Sequence, residues 1–274
     1  MLTTINLLDV IAISMKAGEQ IMDVYHSDFA VENKEDKSPL TLADKKSHEV
    51  IASELKRLFP KMPVLSEEGK HLPYEERKNW EYLWVVDPLD GTKEFVKRNG
   101  EFTVNIALVH KGYPVLGVIY APILDTIYFA KEGAGSFKIK GVEAVNLRNE
   151  AELISHSEKL SSRELNQEMA VVASRSHMSP ETEAYINKIQ GKYGKVTITS
   201  AGSSLKLCLV AEGKADVYPR FAPTMEWDTA AGQAIVEQAG GKVVQTESKE
   251  RLSYNKENLL NPWFIVKKGS LMDE

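Results

Sequence analysis

Apolar side chains near the start of the chain recur every three to four positions, which is the spacing of one helix face. Over residues 3–26 this pattern predicts an amphipathic helix, and Thr3 or Thr4 can cap its start. A second helix is predicted over residues 41–58, ended by Pro60. Because each helix has a single apolar face, we expect both to pack against a common core.

The middle of the chain has the pattern of consecutive strands. Residues 64–69 form a short strand ending in two acids, residues 70–81 are charged and predict a surface excursion, and residues 83–86 form a strand that stops at Asp87. Four short apolar runs follow, at residues 102–109, 115–120, 126–130 and 135–139. Turns this short between them favour antiparallel strands joined by hairpins.

From about residue 150 the pattern changes to alternating strands and helices. Strands are predicted at residues 169–173, 196–199, 215–218, 242–245 and 263–266, and helices at 180–189, 205–211 and 228–239. This alternation indicates an α/β unit with helices on the sheet faces. We therefore predict a mixed α/β fold of two packed sub-domains, residues 1–150 (α+β) and 151–274 (α/β), with a cleft between them.

Composition restricts the environment and the partners of the chain. It has 274 residues, 43% of them hydrophobic, which is ordinary for a globular protein. No apolar run approaches the ~20 residues that span a bilayer, and the N-terminus lacks the basic region of a signal peptide. The single cysteine, Cys208, has apolar neighbours, which favours a core position, and it cannot form an internal disulfide, which fits a reducing compartment.

The formal net charge of −5 argues against polymeric nucleic acid as a partner, because that partner requires a basic surface. A small anionic substrate remains compatible if metal ions or placed basic side chains supply local positive charge. We expect a cytoplasmic protein, with loose association with the inner face of the membrane left open. The sequence leaves both a monomer and a homodimer open.

Candidate chemistry is concentrated in residues 84–95, WVVDPLDGTKEF. Asp87 and Asp90 bring two carboxylates to the end of a strand, and Thr92 adds a hydroxyl. Gly91 permits close approach of the backbone to a ligand, and the N–H groups at the start of the next helix suit an anion. Carboxylates bind hard cations, so the segment indicates metal-assisted phosphate chemistry. The alternative is an ordinary turn, since Asp-Pro and Asp-Gly pairs are common turn signals.

Three further acids are candidates for the same site, and two of them, Asp44 and Asp228, also have a purely structural explanation. Asp44 lies in a predicted first helical turn, where the helix dipole favours an acid in any case. Asp228 precedes a predicted helix and can serve as its N-cap, while Glu67 ends a strand. If Glu67, Asp87, Asp90 and Asp228 converge, these four carboxylates would repel one another without cations, and their pKa values would rise. Divalent ions would stabilise them.

Three segments carry a resemblance to a known family. LSEEG, WVVDPLDGTKEF and EWDTAAGQAIVEQAGG resemble the signature segments of the lithium-sensitive, magnesium-dependent inositol monophosphatase superfamily. The resemblance implies the layered αβαβα sandwich of the inositol monophosphatase and fructose-1,6-bisphosphatase type. DGTKEFVKRNGEFTVNIAL and GSSLKLCLVAEGKADVYPRF are closer to CysQ-type 3′(2′),5′-bisphosphate nucleotidases. Those enzymes remove the 3′-phosphate from adenosine 3′,5′-bisphosphate, a by-product of sulfate assimilation.

The resemblance also implies a metal and catalytic site. The implied ligands are Glu67, Asp87 and the Leu89 carbonyl for one Mg²⁺, and Asp87, Asp90 and Asp228 for a second. A third, more weakly bound ion is implied beside Glu67. The implied catalytic residues are Asp44, Glu67 and Thr92. Thr92, paired with Asp44, would orient and deprotonate the attacking water.

Substrate contacts follow from the same resemblance. The implied contacts are Gly91, Thr92, His177, Ser203, Lys206, Arg220 and Asp228. Lys206 and Arg220 would form charge-assisted bonds to the 5′-phosphate. The structural alternatives are a solvated helix residue for Lys206, a surface loop charge for Arg220 and a water-satisfied loop residue for His177.

The resemblance therefore implies in-line hydrolysis of adenosine 3′,5′-bisphosphate to AMP and phosphate, with lithium inhibition. It leaves open whether the phosphosulfate analogue is a second substrate. The nearest alternative is an inositol monophosphatase or a sugar bisphosphatase, which would share the metal chemistry and release a different alcohol. An alternative of another class is a non-catalytic sensor that binds the bisphosphate nucleotide.

Overall fold

The computed structural model describes residues 2–27, 31–33, 39–70, 72–162, 164–173 and 178–271. Besides a 3₁₀ turn at Leu2–Thr4, the helices are α1 Leu7–Tyr25, α2 Leu42–Leu58, α3 Tyr74–Arg77, α4 Thr92–Val96, α5 Gly141–Ala144, α6 Glu150–His156, α7 Pro180–Tyr193, α8 Leu205–Ala211 and α9 Glu226–Gln238. The strands are β1 Val31–Asn33, β2 Pro39–Thr41, β3 Val64–Ser66, β4 Tyr82–Asp90, β5 Thr103–His110, β6 Tyr113–Ala121, β7 Thr126–Lys131, β8 Gly135–Lys140, β9 Glu158–Lys159, β10 Met169–Ala173, β11 Val196–Ser200, β12 Val217–Arg220, β13 Lys242–Gln245 and β14 Phe264–Lys267.

The larger sheet has seven strands in the order β3-β4-β5-β6-β7-β8-β9. From β4 to β9, each strand is antiparallel to the next one, and the turns between β5, β6, β7 and β8 are short, so the predicted hairpins are confirmed. Strand β3 pairs with β4 in parallel. That pairing brings the C-terminal ends of β3 and β4 to the same edge of the sheet.

The smaller sheet has five strands in the order β11-β10-β12-β14-β13. Strand β10 is parallel to both β11 and β12, while β14 is antiparallel to β12 and β13. The parallel connections carry helices α7 and α8, as expected for an α/β unit. A separate two-stranded ribbon is formed by β1 and β2.

Three apolar clusters show that helices and sheets alternate in five layers. Helices α1 and α2 cover one face of the large sheet, α8 and α9 lie between the two sheets, and α7 covers the outer face of the small sheet. The expected αβαβα sandwich is confirmed. Full burial of side chains such as Trp84 and Phe129 stabilises these layers, by about 1.5–3 kcal/mol for each large apolar side chain.

The middle layer packs on the large sheet at a close backbone contact. A Cβ placed on Gly117 of β6 would lie 2.4 Å from the carbonyl oxygen of Ala231 in α9. No side chain fits in that space, so glycine permits α9 to lie directly on the sheet. The first turn of α9 carries Asp228, so this contact also fixes the height of that carboxylate above the sheet.

Several predicted boundaries differ from the observed ones. Strand β4 does not stop at Val86 but continues to Asp90, with an irregular register between Asp87 and Asp90. Helix α1 is capped by Asn6, whose side chain accepts from Leu8 N at 3.1 Å, so the prediction of a threonine cap was wrong. The cap is the residue whose side chain reaches a free backbone N–H of the first turn, here Asn6, and the threonines before it are too far along the chain to do so.

The prediction of Asp228 as an N-cap was also wrong. Helix α9 begins at Glu226, and Asp228 is its third residue, accepting a hydrogen bond from Met225 N at 2.9 Å. Residues 70–81 include a short helix, α3, whose Arg77 is only 2% exposed and thus is not a surface residue. Cys208 is buried, as its apolar neighbours indicate. In the described part of the chain, no helix combines the length and apolar character that a membrane crossing requires.

Candidate active site

The site lies where the ends of β3 and β4 approach the starts of α8 and α9. Because Ser66 of β3 is paired with Val86 of β4, the residues that follow these two, Glu67 and Asp87, are neighbours. Glu67 N donates to Val86 O at 3.2 Å, which places Glu67 beside Asp87 at the same sheet edge.

The last four residues of β4 form a constrained segment. Leu89 N donates to Asp87 Oδ1 at 3.1 Å, a local bond that Pro88 favours by restricting the backbone between them. Ser47 of α2 donates to Pro88 O at 2.7 Å and fixes the segment to the outer helical layer. Gly91 then adopts φ 93°, in the left-handed region, and ends the strand so that α4 can start at Thr92.

Four acids lie within electrostatic range of Asp87. Burial raises the pKa of Asp87 well above its ordinary value, and the charges of Glu67, Asp90, Asp228 and Asp44 raise it further, in that order. Burial also raises the pKa of Asp228 to about 8, with Asp90 as the next contribution. Both shifts have the sign expected for carboxylates that are removed from water and face like charges. Bound cations would relieve both effects.

Hydrogen bonds within the protein hold the carboxylates in their present orientations. Asp87 accepts from Leu89 N, and Asp228 accepts from Met225 N. Asp90 Oδ2 accepts from Ser204 Oγ at 2.6 Å.

In the described ranges, no three acidic, histidine or cysteine side chains already form a group that could hold a metal ion. The donor chemistry nevertheless fits a hard divalent cation, since the candidates are carboxylate oxygens and a backbone carbonyl. The raised pKa of Asp87 gives the same indication, because a cation would compensate this concentration of negative charge. The residues therefore fit a metal ion in type and neighbourhood, and the carboxylates would have to close around it.

A cavity of about 170 Å³ adjoins these acids and has a mixed lining. The acids Asp90 and Asp228 line it, together with the basic residues Lys93, Lys206 and Arg220. The aromatic rings of Tyr218 and Phe264 also line it. A single cavity thus offers both carboxylates for cations and basic groups for an anion.

Lys206 is not a solvated helix residue, because its side chain is only 8% exposed. Its ammonium group donates to Ala201 O at 3.1 Å and to Ser203 O at 2.6 Å. Burial lowers its pKa to about 8, although Asp90 acts in the opposite direction. An ammonium group has three N–H donors, so one remains for a ligand in the cavity.

Arg220 is the last residue of β12 and is half-buried, so the alternative of a surface loop charge does not describe its position. Its Nε donates to Thr224 Oγ1 at 2.6 Å and its Nη2 to Pro223 O at 3.0 Å. A guanidinium group has five N–H donors, so these two bonds orient the group and leave donors for a ligand. Ser203 also lines the cavity, whereas His177 lies outside the described residues.

Several residues in and beside the cavity were not identified from the sequence. Lys93 directly follows Thr92, so its position in the motif was an available signal. Asn105 lies within the apolar strand β5, and a buried polar residue in such a strand needs a partner. Nothing in the sequence indicated a site role for Tyr218 or Phe264, because aromatic residues in strands are ordinary core residues.

Clustered carboxylates beside basic groups, at the junction of layers in an α/β sandwich, suit a phosphatase that uses metal ions. The sequence profile of the inositol monophosphatase family matches residues 3–270, and this chain belongs to that family. Phosphatases of the family are generally metal-dependent, and lithium sensitivity is typical of them.

Relatives within the family share most of their length with this chain. The 3′(2′),5′-bisphosphate nucleotidase CysQ of Salmonella typhimurium is 46% identical over 259 residues, covering 94% of this chain and 97% of that protein. CysQ of Escherichia coli K12 is 44% identical, again over 94% of this chain and 97% of that protein. The crystal structure of CysQ from Bacteroides thetaiotaomicron superposes with a TM-score of 0.86 at 51% identity, covering 97% of this chain and 99% of that one.

Proposed function

We propose that this chain is a 3′(2′),5′-bisphosphate nucleotidase that hydrolyses adenosine 3′,5′-bisphosphate to AMP and inorganic phosphate. Similarity over 94% of this chain to two CysQ proteins named as 3′(2′),5′-bisphosphate nucleotidases, at 44% and 46% identity, supports this reaction. Its cellular role would be nucleotide recycling in sulfur assimilation, in the cytoplasm. The phosphosulfate analogue, which has the same 3′-phosphate, is a further candidate substrate.

The observation that carries the proposal is the mixed lining of one cavity. A bisphosphate nucleotide has one phosphate to be hydrolysed and a second that must be bound. Asp90 and Asp228 would serve the first through cations, while Lys206 and Arg220 would bind the second by charge-assisted hydrogen bonds. An inositol monophosphate lacks a second phosphate and would leave the buried charge of Lys206 without a ligand.

The proposed cofactor is Mg²⁺, two or three ions per site. The proposed ligands are Glu67, Asp87, the Leu89 carbonyl, Asp90 and Asp228. When bound, these ions would neutralise the acid cluster and stabilise negative charge on the transferring phosphate. Leu89 belongs to the constrained end of β4, so its carbonyl direction is fixed by the backbone of that segment.

The protein's own groups would handle the attacking water. Asp44 is fully buried in the first turn of α2, and Thr92 begins α4. We propose that the Thr92 hydroxyl orients the water and that Asp44, paired with it, takes up the proton as the water attacks phosphorus in line. Glu67 would assist from the end of β3. The bond between phosphorus and the ribose 3′-oxygen breaks, and that oxygen gains a proton.

Other assignments remain proposals of the same kind. Gly91, Thr92, Ser203 and His177 would contact the nucleotide together with the basic residues. Residues 1–150 would supply most metal ligands, and residues 151–274 the nucleotide contacts and Asp228. Monomer and homodimer are both compatible with a site built within one chain.

A phosphate-release panel tests the substrate. We expect kcat/KM for adenosine 3′,5′-bisphosphate to exceed that for inositol 1-phosphate, which lacks a second phosphate, by at least ~100-fold, the discrimination that well-used charged contacts provide. It should also exceed kcat/KM for fructose 1,6-bisphosphate, which has a second phosphate but no nucleoside. The phosphosulfate analogue is assayed in the same panel. Faster hydrolysis of inositol 1-phosphate would contradict the proposal.

The sensor alternative is tested with Asp90→Asn. An enzyme should lose at least ~100-fold in turnover while nucleotide still binds, because charge stabilisation at the transferring phosphate acts mainly in the transition state. The exposed residue Asp23 provides the control, Asp23→Asn, which should retain full turnover. A sensor would show no metal-dependent turnover in the unmodified protein.

A further inference from the structure

A buried chain of polar side chains leads to Asp90 from β5. Thr103 Oγ1 donates to Asn105 Oδ1 at 3.0 Å, and Asn105 Nδ2 donates to Ser204 Oγ at 2.8 Å. Ser204 Oγ lies 2.6 Å from Asp90 Oδ2, and Asn105 Nδ2 lies 3.3 Å from the same oxygen. Thr103, Asn105 and Ser204 are all at most 1% exposed.

The direction of these hydrogen bonds follows from the available protons. The carbonyl oxygen of Asn105 accepts from Thr103, so its NH₂ group must face Ser204 and Asp90. Ser204 has one hydroxyl proton and accepts from Asn105, so it donates either to Asp90 Oδ2 at 2.6 Å or to the Asp228 carbonyl oxygen at 2.9 Å. The shorter contact has the length of a charge-assisted hydrogen bond to a carboxylate.

The backbone around Ser204 holds it in this position. Gly202 N donates to Glu101 Oε2 at 2.8 Å, and a Cβ on Gly202 would lie 2.7 Å from the Glu101 carbonyl oxygen. Ser203 adopts φ 42°, in the left-handed region that non-glycine residues rarely occupy. Such a conformation persists only when the surrounding structure holds it in place. Ser204, the residue just before α8, therefore follows a rigid turn.

We infer that Ser204, supported by Asn105, is a positioning residue for the metal site. It holds Oδ2 of Asp90 and thereby directs Oδ1 towards the cation. It also lies 2.9 Å from the backbone carbonyl oxygen of Asp228, so one hydroxyl just before α8 contacts both the end of β4 and the first turn of α9. This inference rests on the proposed function, because it assumes that Asp90 is a metal ligand.

Calorimetric titration of the full chain with Mn²⁺, without substrate, tests the inference directly. We expect Ser204→Ala to weaken cation binding by about 10-fold, because groups that orient metal ligands typically contribute 10–100-fold to affinity. Asn105→Ala removes the support of Ser204 and the longer hydrogen bond of 3.3 Å to Asp90 but keeps the Ser204 hydroxyl, so it should weaken cation binding less. Ser14→Ala is the matched control, since Ser14 is also fully buried but bonds only within α1; its cation affinity should equal that of the unmodified protein.

A double-mutant cycle separates positioning from a general structural role. Ser204→Ala should cause no further loss of cation affinity in an Asp90→Asn background, because its effect passes through Asp90. Equal losses in both backgrounds would overturn the inference, as would unchanged affinity in folded Ser204→Ala. If Ser204→Ala does not fold, Asn105→Ala takes its place in the same cycle with the same criteria.

The cycle also distinguishes failure of the inference from failure of the proposed function. If Asp90→Asn weakens Mn²⁺ binding but Ser204→Ala does not, only the positioning role is wrong. If Asp90→Asn leaves Mn²⁺ binding unchanged, the assignment of Asp90 as a ligand is wrong, and the proposed metal site fails with it.

Discussion

At the scale of single residues, the candidate site is defined by charges whose burial is unfavourable in isolation. Asp87 is 1% exposed and faces four other acids, and Lys206 is nearly as deeply buried among backbone carbonyls. Charged groups are removed from water at this cost mainly where a ligand or ion compensates them, which is why perturbed pKa values cluster at functional sites. Lys206 lines the cavity, and so do Asp90 and Asp228, two of the acids whose charges act on Asp87.

Replacing Asp44 tests the proposed proton acceptor. We expect Asp44→Asn to lower kcat by roughly 100-fold or more, the usual contribution of general base catalysis. Cation affinity should change little, because Asp44 is not among the proposed ligands. Steady-state kinetics and Mn²⁺ titration measure the two effects, and equal losses in both would indicate that Asp44 is a ligand instead.

Replacing Lys206 tests recognition of the second phosphate. Lys206→Met retains most of the side-chain volume and removes the charge, so KM for adenosine 3′,5′-bisphosphate should rise about 10- to 100-fold, the value of one charge-assisted bond. Hydrolysis of 3′-AMP, which lacks the 5′-phosphate, is the internal control and should be much less affected. An equal effect on both substrates would contradict a role in binding the 5′-phosphate.

The raised pKa values predict the pH dependence of stability without metal. An acid with a higher pKa in the folded than in the unfolded protein is more protonated when folded, so stability falls as pH rises through that interval. Asp228, with its pKa raised to about 8, and Asp87, shifted in the same direction, should therefore lower the Tm of metal-free protein between pH 5 and 8.

Saturating Mg²⁺ should reverse this trend, because it compensates the ionised carboxylates. The gain in Tm on adding Mg²⁺ should be larger at pH 8 than at pH 5, where protons compete with the metal. Thermal unfolding of chelator-treated protein with and without Mg²⁺ measures both. A metal-free Tm that rises steadily from pH 5 to 8 would contradict the direction given for Asp87 and Asp228.

At the scale of elements, the site depends on how α9 lies on the large sheet. The contact between Gly117 and Ala231 leaves no room for a side chain, so Gly117→Ala must displace α9 or bend β6. Overpacking of this kind typically costs about 1–3 kcal/mol. We expect a Tm lower by several degrees and a lower cation affinity, since Asp228 moves with α9.

Gly191→Ala is the matched control for this substitution. Gly191 lies in α7 with nothing within 4 Å of its added Cβ, and alanine favours the helix. We expect an unchanged or slightly higher Tm and unchanged cation affinity, measured by thermal unfolding and calorimetry. Gly117→Ala behaving like Gly191→Ala would show that the α9 contact tolerates a methyl group.

A second element-scale feature joins distant segments near α9. Arg77 of α3 donates to Asn255 Oδ1 at 2.9 Å and to the carbonyl oxygens of Lys256 and Glu257. Glu226, at the start of α9, is fully buried and accepts from the ammonium group of Lys256 at 2.6 Å. The segment predicted as a surface excursion thus anchors the loop that covers the beginning of α9.

At the scale of the whole molecule, the site uses four of the five layers. The large sheet supplies Asp87 and Asp90, the outer helical layer Asp44, the middle helical layer Lys206 and Asp228, and the small sheet Arg220. Cooperation of distant layers explains why no short segment of the chain contains the candidate site. The division at residue 150 stays a prediction, although β9, which follows that residue, still pairs with the large sheet.

Much of this architecture was predictable from local pattern. The periodicity of α1 and α2, the hairpins of the large sheet and the strand–helix alternation of the second half all follow from near neighbours in the chain. The errors fall where long-range contacts decide. Asp228 is the third residue of α9 because Met225 N reaches its carboxylate, and Arg77 is buried because a loop about 180 residues away folds over it.

By itself, the sequence determined the elements, the residue types of the DPLDGT segment and the resemblance that implies the fold. Only the tertiary structure decided that Lys206 is buried, that Asn105 and Ser204 reach Asp90, and that acids and basic groups line one cavity. The physical reason is range: helices and turns form from interactions over a few residues, whereas burial and converging charges depend on layers brought together across more than a hundred residues.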